Sequence, residues 1–317
     1  MKILELYNQK TTFTGQPMKA TLYGPEIGPS RAIVILIHGM AEYSDRYLPF
    51  ANELIAHGFA IVLFDLPGHG EAARQAGRLG HFADVAGGAK VEADVRALIE
   101  YFHRKYSQVP FVLMGHSMGS MITRRIMQAD PIGFKKCILS GTMGKQAGHG
   151  MGKVVASLLA SFKGPAVPSP LLDSLLASQY GEHKENNAWL SRDVAEVAKY
   201  NASPLCGFPF TTRAMADMLG WAAQISTNKA FSKMNKGTKY LLVAGTADPI
   251  GQNGAGVRYV ADKLAAARCD VTCVLFPEAR HEVMNEINRD EVVATIISFL
   301  EDKPVTPQEV DHDDRDD

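Results

Sequence analysis

Six short apolar runs punctuate the chain, and each is unbroken rather than alternating: AIVILI at 32–37, FAIVLF at 59–64, FVLM at 111–114, CILS at 137–140, YLLVAG at 240–245 and VTCVLF at 271–276. A strand with one wet face alternates polar and apolar side chains, whereas a strand covered on both faces does not. The runs therefore predict a parallel sheet between layers of helices. The intervening segments repeat at the helical period. Val91, Val95, Leu98, Ile99 and Phe102 fall on one face, with Lys90, Glu92, Asp94, Arg96 and Glu100 on the others. Met118, Met121, Ile122, Ile126 and Ala129 form a second stripe that Asp130-Pro131 should end. Residues 290–300 predict a capped terminal helix with Val293, Ile296, Ile297 and Leu300 inward, and the first two dozen residues an antiparallel strand pair. The class is α/β, with a mostly parallel central sheet of about eight strands and helices on both faces.

One spacing breaks the rhythm. The runs at 137–140 and 240–245 lie roughly a hundred residues apart, where a crossover between parallel strands needs only about thirty. The surplus contains MGKVVASLLASF, GPAVPSPLLDSLL and CGFPFTTRAMADMLGWA, which predict short helices rich in Met, Leu and Pro. Apolar residues on an insertion must face something apolar. The expectation is a cap over the carboxyl edge of the sheet, where α/β proteins bind ligands. The division that follows is a core of 1–143 and 231–303, a cap of 144–230, and an acidic tail of 304–317.

Composition narrows the class. The 317 residues are 46% apolar and 21% charged with net charge -1, ordinary for a soluble globular protein. The last ten, QEVDHDDRDD, hold six acids and one arginine, predicting a disordered tail and leaving the remainder diffusely basic. That balance gives no footprint for nucleic acid. MKILELYNQK lacks the apolar core of a signal peptide, and no run approaches the ~18 apolar residues of a membrane span. Cys137, Cys206, Cys269 and Cys273 form no C-x-x-C pair and predict free thiols, so the expected compartment is the cytoplasm.

The candidate chemistry starts at GHSMG, where Ser117 stands between Gly115 and Gly119 just after the run at 111–114. G-x-S-x-G at a strand-to-helix junction describes a nucleophile elbow, a turn so tight that only glycine tolerates the backbone contact on either side. It lifts the serine hydroxyl out of the sheet at a helix N-terminus, where developing negative charge is favoured. A serine hydroxyl is too weak an acid to attack alone and needs a base held by an acid, in chain order serine, acid, histidine on such a sheet. Asp248 in GTADPIG follows the run at 240–245, and His281 in PEARHEVMNE follows the run at 271–276. Both sit at the carboxyl edge. Oxyanion donors should be the backbone N–H of Met118 and that of Met40, where His38-Gly39 releases the chain from the strand at 32–37.

The remaining histidines read as structural. His116 should pack the elbow from its far side, and His38 should shape its loop through backbone hydrogen bonds. His69 and His81 show no partner in the sequence, and His57 before Gly58 suits a helix C-terminus. No histidine set has metal spacing, and no cofactor is implied. Glu42 and Arg46 flank the oxyanion loop as head-group contacts or, more simply, as an ion pair, with Asp45 as helix cap and Pro49 in the first turn.

With these residues in place the chain resembles the α/β-hydrolase superfamily, and within it the monoacylglycerol lipase and lysophospholipase branch, from about residue 12 to residue 300. HGMAEYSDRY (38–47) is similar to that branch's oxyanion loop and DLPGHG (65–70) to its next loop. GHSMG, GTADPIG and ARHEVMNE are similar to its triad blocks, and WLSRD with NASPLCGFPFT to a late cap segment. The pattern departs at Glu71-Ala72-Ala73, Ser203 and Tyr43, all in loops that rim the pocket. The resemblance implies serine hydrolysis of acyl esters of the monoacylglycerol or lysophospholipid type, with Ser117, Asp248 and His281 as triad. It also implies a small-molecule acyl ester as substrate and transient contact of the cap with a membrane or micelle surface. The elbow and triad alone leave open a prolyl peptide, a lactone or a carbon–carbon bond as the target, and a non-catalytic binding module on the same scaffold.

Overall fold

A computed structural model describes residues 1–10, 12–26, 28–129, 132–145, 149–183 and 185–305. The expected helix stop at Asp130-Pro131 and all but the start of the acidic tail lie outside the described residues.

Every continuous apolar run is a strand. With the antiparallel pair of the first two dozen residues, the eight strands in chain order are β1 (Lys2–Gln9), β2 (Met18–Gly24), β3 (Ile33–Ile37), β4 (Ala60–Phe64), β5 (Phe111–His116), β6 (Lys136–Ser140), β7 (Lys239–Gly245) and β8 (Asp270–Phe276). They form one sheet of eight in the order β1-β2-β4-β3-β5-β6-β7-β8. β1 pairs antiparallel with β2, and β2 with β4; every later pairing is parallel. Side chains alternate between two cores. Ile33, Ile35, Ile37 and Leu113 enter one, while Val34, Leu36, Val112 and Met114 enter the other. Each fully buried aliphatic side chain contributes roughly 1.5–3 kcal/mol, which is why neither register position tolerates a polar residue.

The body helices are α1 (Leu48–Ala56), α2 (Gly70–Gln75), α3 (Gly87–Lys105) and α4 (Met118–Met127). Between β6 and β7 come α5 (His149–Lys163), α6 (Pro170–Ala177), α7 (Val194–Ala202), α8 (Thr212–Ile225) and α9 (Asn228–Ser232). α10 (Ala255–Ala266) and α11 (Arg289–Leu300) complete the chain. α3, α4 and α10 cover the first core through Val95, Ile122 and Val257; α1 and α11 cover the second through Leu54 and Ile296.

Two expectations change. α11 has no side-chain cap at Asn288, because that oxygen accepts from Arg192 Nη2 at 3.0 Å instead. In the inserted stretch, α5 and α8 run to 15 and 14 residues, longer than the short helices expected. Moreover α8 buries Met215, Met218, Trp221 and Ile225 in the same core as α3 and α4. Trp221 Nε1 donates to Glu92 Oε1 of α3 at 2.8 Å. Part of the apolarity that suggested a cap is therefore body packing.

The sheet order also locates a crevice. From β3 the chain passes to β4 on one side, and then β5 pairs with β3 on its other side. The loops leaving β3 and β5 consequently diverge. Such a switch point is where open α/β sheets bind ligands.

Candidate active site

β5 delivers Ser117 to that crevice. Its backbone has φ 52 and ψ -119, a left-handed conformation that costs a non-glycine residue about 1–3 kcal/mol. The flanking contacts hold it there. Ser117 N donates to Ser140 O at 2.9 Å. A Cβ on Gly115 would sit 2.4 Å from Gly119 O, and one on Gly119 2.1 Å from Ile37 O. Both glycines are thus dictated by backbone approach, and Ser117 stands directly before the first turn of α4.

β7 and β8 bring the other two side chains to the same place. His281 Nε2 lies 2.8 Å from Ser117 Oγ, and His281 Nδ1 lies 3.0 Å from Asp248 Oδ1. Asp248 is fully buried, and its Oδ1 also accepts from Ile250 N at 2.9 Å. With Asp248 as a carboxylate, Nδ1 carries the ring proton and Nε2 is free to accept from the serine. Burial pulls the His281 pKa down, but the Asp248 charge and hydrogen bond prevail and hold it above the ordinary 6.5.

The loop after β3 approaches Ser117 from the other side. His38 Nε2 accepts from Leu66 N at 2.9 Å, so its Nδ1–H donates to Gly39 O at 2.8 Å, the loop-shaping role expected. Gly39 N is taken by Glu42 Oε1 and Ala41 N by His69 Nε2. Ala41 O accepts from Gly207 N at 2.9 Å and from Tyr200 OH at 3.1 Å. Met40 is thereby clamped on both sides. Its own N–H and that of Met118 have no acceptor among the described residues, and both residues line the cavity over Ser117. Two free amides beside one hydroxyl are what an oxyanion hole requires.

Several expectations need correction. His116 does not point away. Its ring packs 4.8 Å from that of His281, its Nδ1 lies 3.2 Å from Ser140 Oγ, and it lines the same cavity. Burial and the neighbouring His281 push its pKa down to about 4, which keeps it neutral beside a protonated partner. His69 is not without partners: besides Ala41 N it bonds Pro67 O at 3.1 Å and packs among Phe82, Phe208 and Phe210. His81 contacts Thr211 Oγ1 at 3.1 Å. Asp45 caps nothing; it lies inside the 3-10 turn Ser44–Tyr47, and no side chain caps α1, although Pro49 does occupy its first turn. Arg46 does not reach toward a head group; the simpler expectation, an ion pair with Glu42, is the one found. Arg46 makes a bidentate pair with Glu282 at 2.6 Å and bonds Glu42 Oε2 at 2.8 Å, over the ring of Tyr200. Burial would raise the Glu282 pKa, but Arg46 lowers it.

Other positioning residues escape sequence reasoning altogether. Glu286, 1% exposed, accepts from Arg280 N, Arg192 N, Arg192 Nε and Ile287 N at 2.8–3.0 Å. Beside it Glu282 N bonds Leu190 O at 2.7 Å, and Arg280 Nη1 bonds Ala188 O at 2.7 Å. The histidine loop is thus laced to residues 188–192 of the insertion, whose Trp189 lies 5.1 Å from the His281 ring. The available signals were the WLSRD and ARHEVMNE blocks, which contain Arg192 and Glu286.

These walls enclose a cavity of about 290 Å³ above Ser117. Met118, Met121, Met143, Met215 and Met218 line it with Phe208 and Phe210. Unbranched thioethers suit a flexible apolar guest. Among the described residues no cluster of three or more His, Cys, Asp or Glu could hold a metal ion. None of their helices is long and apolar enough to cross a membrane, and their cysteines form no disulfide among the described residues.

Comparison with known proteins gives the family of the chain. A family profile described as serine aminopeptidase, S33, matches residues 28–288. A monoacylglycerol lipase of Mycolicibacterium smegmatis is 28% identical over 286 residues, 88% of this chain and 92% of that protein. A monoglyceride lipase homolog of monkeypox virus is 26% identical over 283 residues, covering 88% and 91% of the two chains. Among solved structures, a thermostable carboxyl esterase from Bacillus coagulans in complex with glycerol aligns with a TM-score of 0.88 and 29% identity, over 95% of this chain and 99% of that one.

Proposed function

The chain belongs to the serine aminopeptidase S33 family of α/β-hydrolases and is an ester hydrolase, and from that premise we propose that it cleaves esters of a single acyl chain, of the monoacylglycerol or lysophospholipid type. The observation that carries this reading is the line Asp248–His281–Ser117 opening into a methionine-lined cavity. Ser117 Oγ attacks the ester carbonyl carbon while His281 Nε2 takes its proton. The amides of Met40 and Met118 receive the oxyanion. The C–O bond then breaks, and His281 returns the proton to the departing alcohol. Water, deprotonated by His281, attacks the acyl-enzyme and releases the fatty acid together with Ser117. No cofactor enters the cycle.

A panel of esters with graded acyl length, run beside a prolyl anilide and a lactone, tests the bond. Esters of medium chains should exceed acetate in kcat/KM by at least about tenfold, since each buried CH₂ contributes about 0.8 kcal/mol. Faster turnover of the anilide or the lactone would overturn the ester reading.

The stretch 144–230 serves as the cap in this reading, and its outer face meets the lipid. α5 exposes Met151, Val154, Leu158 and Phe162 at helical spacing, Phe162 to 86%, and α6 adds Leu171 and Leu175. α6 also lines the cavity through Asp173 and Leu176, so the α6 part of this apolar surface stands on the cavity wall. A substrate held in a micelle would be met there first. Leu158→Ser with Phe162→Ser should slow hydrolysis of micellar esters about tenfold or more, and leave rates on monomeric short esters unchanged. Equal losses on both forms would refute the surface role.

A further inference from the structure

The charged side chains lining the cavity are three carboxylates, Glu42, Asp173 and Glu282; among the described residues no lysine or arginine joins them. Glu42 and Glu282 share one cation, Arg46, which leaves that group with an excess negative charge. Asp173, on α6, has no ion pair or side-chain hydrogen bond among the described residues, and burial alone pushes its carboxyl pKa up. An uncompensated acid in a partly dehydrated wall costs free energy, so its position asks for a reason.

In the ester reading, the departing alcohol must pass the wall nearest His281. That alcohol leaves toward His281 Nε2, from which it takes its proton. Trp189 lies 5.1 Å from the His281 ring, and Tyr180 stacks on Trp189 at 4.1 Å and 8°. α6 runs directly into the turn Ser178–His183, which carries Tyr180, so Asp173 lines the cavity about two helical turns before Tyr180 in the chain; burial, then the nearby Asp173 charge, pushes the Tyr180 phenol up to about 12. Gln179 lines the cavity too. The methionines supply the apolar lining that an acyl chain needs.

We propose that the cavity selects acyl esters by the charge of their alcohol portion, admitting neutral and cationic alcohols and rejecting anionic ones, with Asp173 as the specificity-determining residue. This rests on the ester reading above and divides its substrate class: a glycerol ester fits, whereas a glycerol phosphate ester meets carboxylates on the side where its phosphate must go. The repulsion between unit charges several ångströms apart in a half-wet site corresponds to about one or two powers of ten in rate.

Three octanoyl esters, used as monomers at neutral pH and low salt, test it: octanoylglycerol, octanoylcholine and octanoylglycerol phosphate. The wild-type kcat/KM for the phosphate ester should fall at least about thirtyfold below the other two, and the gap should narrow in about 0.5 M salt. Asp173→Asn should narrow the neutral-to-anionic ratio about tenfold, and Asp173→Glu should keep it. Equal wild-type rates on all three esters, or a ratio that Asp173→Asn leaves unchanged, would overturn the selectivity while leaving the ester reading intact. Turnover of none of them would overturn the ester reading, and the selectivity with it.

Discussion

Ser117→Ala is expected to lower kcat for acyl-ester hydrolysis by about 10⁴-fold or more and to abolish labelling by a fluorophosphonate. The loss has a single cause, since removing one oxygen deletes the nucleophile and nothing that shapes the site. Ser117 holds the elbow through its backbone, with N donating to Ser140 O and its own O accepting from Ser120 Oγ and Ser120 N. Alanine has the same Cβ and meets the same cost at φ 52, so the variant should keep the wild-type melting temperature. Residual rate above water should come from the Met40 and Met118 amides, which the substitution does not touch. Adding His281→Ala should cost little more, because a base without a nucleophile has no proton to take. Wild-type turnover by the folded Ser117→Ala variant would refute the role given to this residue.

The same elbow shows how far the sequence carries. Its glycines, its strand and its helix are local, and GHSMG contains all three. Asp248 and His281 were legible for a related reason: each follows a continuous apolar strand, and parallel strands end on one edge. What the chain hides is pairing across long separations. Arg46 and Glu282 are 236 residues apart, and the sequence pairs Arg46 only with its near neighbour Glu42. Glu286 lies inside the ARHEVMNE block, but nothing in that block shows that its carboxylate ties Arg192 to the loop that carries His281. His116 ends β5 in register with Ser140 of β6, and this cross-strand alignment, absent from the local sequence, sets it beside His281. The inserted region was misread in part for a different reason. Methionine and leucine fit equally a roof over a cavity and a helix packed on the body, and α8 does both.

Asp248→Asn should cost nearly as much as losing the serine, about 10⁴-fold in kcat, without removing any reacting group. Asp248 Oδ1 fixes the proton on His281 Nδ1, which leaves Nε2 a lone pair for the Ser117 hydroxyl. An amide in its place can donate to Nδ1, moving the ring proton to Nε2, where it faces a hydroxyl it can no longer deprotonate. The pH profile separates this account from simple loss of packing. His281 acts as base only when neutral, and its pKa is held above 6.5 because the Asp248 charge outweighs burial. Wild-type kcat/KM should therefore fall as pH drops through a midpoint above 6.5 and be flat on the alkaline side. In Asp248→Asn burial acts unopposed by that charge, so the residual activity should keep its plateau to lower pH. His116 does not contribute to this limb, since its pKa of about 4 leaves it neutral throughout. A titration of kcat/KM from acid to alkaline pH in both proteins decides the matter: an unmoved midpoint would mean that the carboxylate does not set the charge of the histidine, whatever the size of the rate loss.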